Sequence, residues 1–189
     1  TGLNAIDNPG PGVAVIRALR EAKAFDVRII GFSYEALEPG IYMHDIVDKT
    51  YQLPYPSGGT EDLLKRLTHI QEIEKLDVII PNFDAELFSF IKLETKLKKL
   101  GINLFLPSLK QLEEREKFNL VEFGKKYDIK VPNSVSVHTI REAKDEMSSD
   151  ELDWPVLVKG KFYDAIVVYN KEQMVTAFNK ISAKWGTPI

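Results

Sequence analysis

Short apolar runs alternate in the first half of the chain with stretches whose apolar residues recur every three or four positions. Residues 27–32, 77–81 and 102–106 are such runs, and their length and apolar character predict buried β-strands. The intervening repeats predict amphipathic helices. Their apolar positions are Val15, Ala18, Leu19 and Ala22, then Leu63, Leu67 and Ile70, then Phe90, Leu93, Leu97 and Leu100. This alternation indicates βαβ crossovers and an α/β fold with a doubly wound parallel sheet.

Two irregular stretches interrupt this pattern. Residues 1–3 read as the exit of a strand whose body precedes them, and the turn-forming residues 4–12 follow. A longer stretch, residues 33–59, joins the second strand to the next helix, and residues 51–53 within it are typical of a short edge strand. A connection of this length is either a functional loop or a plain surface crossing, and the sequence leaves both interpretations open.

Helical segments follow the third predicted strand, and the pattern changes at Pro132. Ser108 and Gln111 have the spacing of a capping box that opens a charged helix. The predicted elements are a helix at 109–117, a helical face ending near Asp128, a strand around Val135 and Val137, a helix at 139–147, strands at 156–159 and 165–169, and a helix at 172–184. We therefore expect the first half or so of the chain to form a doubly wound domain and the remainder to begin a second, incomplete α+β domain.

Composition narrows the possible partners. The 189 residues are 44% hydrophobic and 28% charged, an ordinary globular balance. A net charge of -3 and scattered lysines argue against a nucleic-acid partner. The absence of cysteine excludes disulfides, thiolate zinc sites and a cysteine nucleophile, and it fits a reducing compartment. No membrane-length apolar run or signal pattern occurs, so we expect a cytoplasmic protein without a membrane partner.

The loop at residues 4–12 is the first candidate binding site, because ligands of open parallel sheets bind outside the carboxyl ends of the strands. It carries Asn4, Asp7 and Asn8, and it leads into a helix whose free amides and dipole favour an anion. Its Gly-Pro-Gly sequence at residues 10–12 lacks the third glycine of a dinucleotide fingerprint. The loop is either a ligand site or a turn with proline at the first helical position.

The loop at residues 82–86 follows another predicted strand. Asp84 has the position of a helix N-cap, and Glu86 lies in the first turn, where the helix dipole favours an acid. The N-cap position of Asp84 and the position of Glu86 in the first helical turn are sufficient to explain both residues without a binding role. Their place on the same sheet edge as residues 4–8 nevertheless makes them candidate substrate-binding residues, and we expect the two loops to meet at one crevice.

Two lysines are the candidates in the second domain. Lys159 ends an apolar strand, where a solvated lysine and a phosphate ligand are both common, and Lys117 lies in a highly charged helix. His44 has Asp45 and Asp48 nearby, but one histidine with two acids in a loop is typical of solvent-exposed surface. We therefore predict no metal site from these residues.

In their order and spacing, several short segments together resemble the front part of the ATP-grasp superfamily, closest to carbamoyl-phosphate-synthetase-like members. The resemblance spans essentially all of the chain. The matching segments are residues 1–4, 9–12, 80–87, 116–117, 131–132 and 154–159. The resemblance implies a pre-ATP-grasp domain over residues 1–107 and the start of a small ATP-binding subdomain near Ser108.

The resemblance also implies an activity. Lys117 matches the family's linker lysine and Lys159 its strand lysine, which reach nucleotide phosphates. Such enzymes use ATP and Mg²⁺ to join a small-molecule carboxylate to an amine or related nucleophile through an acyl phosphate. Neutralisation of phosphate charge by lysines and magnesium is the physical basis of that step.

The chain departs from the family pattern after Lys159. A flexible glycine-rich loop is expected there, whereas residues 160–164 form a short hairpin turn with a single glycine. The adenine-contacting strand and the magnesium ligands are expected beyond residue 189, so we expect the 189-residue chain alone to be inactive. The alternative is a non-catalytic ligand-binding or regulatory module. A nicotinamide-dependent oxidoreductase is disfavoured by the missing fingerprint.

Overall fold

The computed structural model describes residues 1–5, 9–148 and 153–189. It divides the chain into two compact units, Thr1–Leu109 and Lys110–Ile189. The predicted division after residue 107 lies close to this boundary. The assignment of the units to a pre-ATP-grasp domain and an ATP-grasp subdomain stays a prediction.

The first unit contains helices and a small parallel sheet. Its elements are α1 (Pro11–Glu21), β1 (Ile30–Ser33), β2 (Lys49–Gln52), α2 (Thr60–Glu74) and α3 (Asp84–Lys99). β1 and β2 pair in parallel, with Ile30 opposite Lys49 and Ser33 opposite Gln52. This pairing confirms the short strand expected within the long connection, and it starts the β1 ladder at Ile30, three residues later than the apolar run predicts.

The predicted strands at 77–81 and 102–106 are reduced to a single parallel bridge between Val78 and Asn103. Ile79 N donates to the Asn103 carbonyl at 3.0 Å, and Asn103 N donates to the Asp77 carbonyl at 2.9 Å. A strand is defined by its paired neighbour and not by its apolar side chains, so the predicted lengths were wrong. A cavity of about 480 Å³ lies beside this bridge, where Val78 and Ile80 are exposed.

The core of the first unit lies between the sheet and helices α2 and α3. The face predicted for α1 was wrong, because Val13 and Ile16 are its buried apolar residues and Ala18 is exposed. The faces predicted for α2 and α3 are confirmed, because their apolar positions are buried together with Phe32 of β1. They are Leu63, Leu67 and Ile70 of α2 and Phe90, Leu93 and Leu97 of α3. α3 ends at Lys99, and Gly101 follows with φ of +85°, a conformation that glycine adopts without strain. Gly101 is thus the helix stop that the sequence predicts.

The second unit has an α+β composition. Its elements are α4 (Leu109–Glu114), α5 (Leu120–Tyr127), α6 (Ile140–Glu146), β3 (Val156–Lys159), β4 (Ala165–Val168) and α7 (Lys171–Trp185). The helix predicted over 109–117 ends early, because the side-chain amide of Asn119 donates a hydrogen bond to the Glu113 carbonyl at 2.8 Å. A short 3₁₀ turn, Lys117–Asn119, then leads to α5.

β3 and β4 form an antiparallel hairpin that packs on α7 through one face. Leu157 lies opposite Val167, and Lys159 lies opposite Ala165. Alternation along the strands buries Val158 and Val168 against α7, where Met174, Phe178 and Ile181 complete the core. The strand expected around Val135 and Val137 does not form. Val137 instead exchanges two backbone hydrogen bonds with Ile189, at 3.0 and 2.9 Å.

Candidate functional site

The backbone of Gly2 lies against the first turn of α1. Gly12 N donates to the Gly2 carbonyl at 3.1 Å. A Cβ at position 12 would overlap the Thr1 carbonyl oxygen, and a Cβ at position 10 would lie 2.6 Å from the Gly2 carbonyl oxygen. Both neighbours are backbone atoms that cannot swing away. The Gly-Pro-Gly sequence is therefore required for this close approach, and its proline occupies the first helical position as the sequence predicts.

The loop that carries the first set of candidate residues is closed by a backbone contact. Gly10 N donates to the Asn4 carbonyl at 2.5 Å, and the Asn4 side chain is exposed. Asp7 and Asn8 lie outside the described residues. The binding role of all three residues stays a prediction.

The loop at residues 82–86 lies beside the start of the chain. Asn82 N donates to the Thr1 hydroxyl at 2.7 Å, and the Asn82 side-chain amide donates to the Thr1 carbonyl at 3.3 Å. Phe83 is the N-cap of α3, since its carbonyl accepts from Glu86 N at 3.0 Å. The expectation that Asp84 is the N-cap was therefore wrong, and Asp84 is the exposed first residue of the helix.

Glu86 is fully buried and joins three segments of the first unit. One carboxylate oxygen accepts from Asn82 N at 3.0 Å, from Phe83 N at 3.1 Å and from the Thr1 hydroxyl. The other accepts from the Tyr34 hydroxyl, which follows β1. Its carboxylate thus joins Thr1, at the start of the chain, and Tyr34, after β1, to the loop at residues 82–86. Its assignment to substrate binding stays a prediction.

Burial sets the ionisation of this cluster. It raises the pKa of Glu86 above its ordinary value, against the hydrogen bonds to the carboxylate, which lower it. Burial, followed by the charge of Glu86, raises the pKa of Tyr34, so its hydroxyl stays protonated as a donor. Burial also raises the pKa of Glu38, which accepts from Tyr34 N at 2.8 Å. Sequence reasoning missed Tyr34 and Glu38, for which the long connection was the only signal.

Aromatic rings surround the Tyr34 end of the cluster. Tyr34 stacks on Tyr55, with ring centres 6.2 Å apart and an angle of 24° between the ring planes. The ring centres of Tyr34 and Phe83 are 5.8 Å apart. Tyr34 follows β1, and Tyr55 lies three residues after β2. Tyr55 is exposed. The carboxyl edge of the parallel pair therefore offers a ring on which a planar ligand can stack.

The second unit carries the two candidate lysines. Lys159 is the last residue of β3, it is exposed, and within the part of the chain that the structure describes its ammonium has no ion-pair or hydrogen-bond partner. Lys117 begins the 3₁₀ turn, and its ammonium donates to the Phe162 carbonyl at 2.7 Å. Neither residue is buried. Both ammonium groups thus lie at the protein surface.

One face of the β3–β4 hairpin is open and mostly apolar. Leu157 and Val167 lie opposite each other and are each 50% exposed, and the register places Lys159 on the same face. An apolar strip that ends in a cation suits a ligand with a planar apolar part and an anionic tail. This face is hereafter called the open hairpin face.

The described residues, 1–5, 9–148 and 153–189, contain no group of three or more histidine or acidic side chains placed to hold a metal ion. They also contain no helix that is both long and apolar enough to cross a membrane.

Two solved structures are similar to this chain over most of its length. The biotin carboxylase domain of Hydrogenobacter thermophilus 2-oxoglutarate carboxylase, in complex with MgADP, ADP and bicarbonate, matches with a TM-score of 0.57 and 21% identity over 95% of this chain. A variant of Rhizobium etli pyruvate carboxylase, with the allosteric activator acetyl coenzyme A, matches with a TM-score of 0.54 and 15% identity over 91% of this chain. The chain shares its fold with part of these carboxylases.

Biotin carboxylase domains are ATP-grasp proteins of the carbamoyl-phosphate-synthetase-like group, so the resemblance seen in the sequence is confirmed at the level of the fold. At 21% and 15% identity, this likeness establishes the fold alone. The chain spans 41% of the length of the first carboxylase chain and 15% of the second. No protein-family model matches the chain, and no curated protein does.

Proposed function

We propose that this chain is the front part of an ATP-dependent carboxylate ligase of the carbamoyl-phosphate-synthetase-like kind. Residues 1–107 are its pre-ATP-grasp domain, and residues 108–189 begin its ATP-grasp small subdomain. The observation that carries the proposal is the open hairpin face, where the ammonium of Lys159, unpaired among the described residues, lies on the same face as exposed Leu157 and Val167. The fold similarity to a biotin carboxylase domain in complex with MgADP and bicarbonate supports it.

In this proposal the lysines bind the phosphates of ATP. The ammonium groups of Lys159 and Lys117 offset the phosphate charge, with Mg²⁺ supplying further neutralisation. A substrate carboxylate oxygen attacks the γ-phosphorus, which forms an acyl phosphate and releases ADP. An amine or related nucleophile then attacks the acyl carbon and releases inorganic phosphate.

The first unit contributes the small-molecule site. Asn4, Asp7, Asn8 and Asp84 contact the substrate at the carboxyl edge of the sheet. Glu86 belongs to this site because its buried carboxylate joins Thr1 to the loop at residues 82–86. The exposed ring of Tyr55 beside Tyr34 adds a stacking surface.

Substitution of Lys159 tests the nucleotide site. In the full-length protein, Lys159→Ala should weaken the binding of a non-hydrolysable ATP analogue with Mg²⁺ by about ten- to a hundredfold, because a charge-assisted contact is lost. Calorimetric titration measures both affinities. The free energy of unfolding should change by less than about 0.5 kcal/mol, because the side chain is exposed and unpaired.

Lys65→Ala is the matched control, since Lys65 is an exposed lysine of α2 that pairs only with nearby helix acids. Its affinity for the analogue should equal that of the wild type. Equal affinities in all three proteins would remove Lys159 from the nucleotide site.

A second candidate, a binding module without turnover, is favoured by the short and tightly closed turn between β3 and β4. Gly160 N donates to the Asp164 carbonyl at 3.0 Å, so this turn does not resemble a flexible cover. Both candidates predict nucleotide binding. Release of ADP from ATP in the presence of small carboxylates distinguishes them, because only the ligase produces it.

A further inference from the structure

The turn between β3 and β4, residues 160–164, is held in one conformation by its own backbone. Gly160 N donates to the Asp164 carbonyl at 3.0 Å, and Asp164 has φ of +63°. A Cβ at position 160 would overlap the Tyr163 carbonyl oxygen. Glycine is therefore needed at the first position for a tight closure and not for mobility. These five residues are called the β3–β4 turn below.

The end of α7 contacts the β3–β4 turn from one side. The Trp185 indole N–H donates to a carboxylate oxygen of Asp164 at 2.6 Å, and the Lys184 ammonium lies 3.0 Å from the same oxygen. The Trp185 ring also contacts Tyr163 at 5.5 Å and Phe162 at 6.3 Å. The C-terminal half of the turn is thereby anchored to the core of the second unit.

The segment at residues 116–118 contacts the turn reciprocally. Lys117 donates to the Phe162 carbonyl at 2.7 Å. In the other direction, the Lys161 ammonium lies 5.9 Å from the ring centre of Phe118 and 5.4 Å from that of Phe162. Two ammonium groups, those of Lys117 and Lys161, therefore converge on Phe162.

Neighbouring side chains orient the Lys161 ammonium but leave its N–H donors available. Its ion pair with Glu116 is 3.7 Å long, beyond hydrogen-bond distance, and within the described residues it donates no hydrogen bond. Its side chain is 36% exposed. An ammonium has three N–H donors, and the aromatic rings attract its charge without consuming them. Lys161 is thus pre-positioned to donate to an anion that approaches from solvent.

We propose that Lys161 is a third phosphate-binding lysine beside Lys117 and Lys159, and that the β3–β4 turn is a fixed basic edge of the nucleotide site. This inference rests on the proposed function. Three ammonium groups then face the phosphates with Glu116 as their partly offsetting acid. In this proposal the pre-positioned Lys161 ammonium replaces the backbone amides of a mobile glycine-rich loop, because both donate hydrogen bonds to phosphate oxygens.

The test uses the full-length protein with Mg²⁺ and two probes, a non-hydrolysable ATP analogue and adenosine. Lys161→Ala and Lys161→Met should each weaken analogue binding by about tenfold or more, which corresponds to one charge-assisted contact. Methionine keeps the aliphatic stem that packs on the rings but removes the charge. Adenosine affinity should stay unchanged in both variants, because adenosine has no phosphate.

Lys125→Ala is the control within the same unit, as Lys125 is an exposed lysine of α5 paired with Glu122. It should bind both probes as the wild type does. Wild-type affinity in both Lys161 variants, with weakened binding in Lys159→Ala, would overturn the assignment of Lys161 and leave the proposed function standing. Equal losses of affinity for the analogue and for adenosine would show that Lys161 maintains the structure of the site without binding phosphate. This result would also overturn the assignment of Lys161. A wild-type protein that binds neither probe would overturn both proposals.

Discussion

At the scale of single residues, the most constrained group of the first unit is the buried carboxylate of Glu86. It accepts from two backbone amides and two hydroxyl groups that belong to three separate segments. Removing this acceptor would leave buried donors without partners, which typically costs about 1 to 3 kcal/mol for each group. The first role of Glu86 is therefore to maintain the structure around the candidate crevice.

Glu86→Gln tests the ionisation of this carboxyl. Because burial raises the pKa of Glu86 above 4.5 in the folded protein, its contribution to stability is fully present below pH 4.5 and is lost as pH rises through the folded pKa. The wild type should therefore lose free energy of unfolding relative to Glu86→Gln as pH rises above 4.5. Urea denaturation across this range measures the difference.

Glu122→Gln is the control, because Glu122 is 75% exposed. The difference in unfolding free energy between this variant and the wild type should change little over the same range. A wild-type minus Glu86→Gln difference that is independent of pH would contradict the effect of burial on the pKa of Glu86.

At the scale of elements, the β3–β4 turn shows how two helical segments determine the form of a connection. Trp185 at the end of α7 and Lys117 before α5 contact opposite parts of the same five residues. The hydrogen bond from Trp185, followed by that from Lys184, lowers the pKa of Asp164. The hairpin is therefore coupled to α7 by its turn as well as by its buried face.

Trp185→Phe should weaken this coupling. It keeps a ring but loses the indole donor, so the free energy of unfolding of the second unit should fall by about 1 kcal/mol at neutral pH. Because the folded pKa of Asp164 is lowered from 3.8, the loss should shrink as pH falls below that value. Thermal unfolding at pH 7 and pH 3 measures both effects.

Trp154→Phe is the matched control, since Trp154 lies at the surface before β3. Its substitution should leave the unfolding midpoint nearly unchanged at both pH values. An equal effect of the two substitutions would show that the indole hydrogen bond to Asp164 contributes nothing specific.

At the scale of the whole molecule, each unit has its own hydrophobic core. The second unit buries Val158, Val168 and Ile181 in a cluster composed entirely of its own residues. The two buried clusters described in the first unit likewise contain only residues of that unit. Each unit thus has the internal contacts that an independently folding domain needs.

We expect residues 110–189 to fold as an isolated fragment. Circular dichroism and urea denaturation should show a helical fragment that unfolds in one cooperative transition. Ile181→Ala should lower its free energy of unfolding by about 2 to 5 kcal/mol, because a fully buried side chain is truncated. Substitution of the exposed residue Lys180 by alanine should change the free energy of unfolding little. A fragment without a cooperative transition would contradict the independence of this core.

Much of the fold follows from patterns that are local in the sequence. The buried positions of α2 and α3, the hairpin of β3 and β4, and the stop at Gly101 were all predicted, because periodicity and turn chemistry act over a few residues. Apolar runs at 77–81 and 102–106 predicted strands that form only one bridge. A run of apolar side chains reports burial, whereas pairing depends on the neighbour that the fold supplies.

The contacts of the candidate site residues range from local to long-range. Asp84 and Glu86 were predicted to lie at the carboxyl edge of the sheet, and their binding role stays a prediction. Phe83 is the N-cap instead of Asp84, and its hydrogen bonds with Glu86 join residues three positions apart. The contact between Tyr34 and Glu86 joins residues 52 positions apart, and that between Lys117 and Phe162 joins residues 45 apart. No local pattern encodes such pairs.

The sequence by itself determined the α/β class, the buried faces of α2 and α3 and the positions of Lys117 and Lys159, since each depends on near neighbours in the chain. Only the tertiary structure decided which of these residues meet. It buried Glu86, which accepts from the Tyr34 hydroxyl, and it brought Lys117 to the carbonyl and Lys161 to the ring of Phe162. It also left the Lys159 ammonium unpaired among the described residues. The physical reason is that burial and long-range hydrogen bonding depend on how elements pack, which no local periodicity specifies.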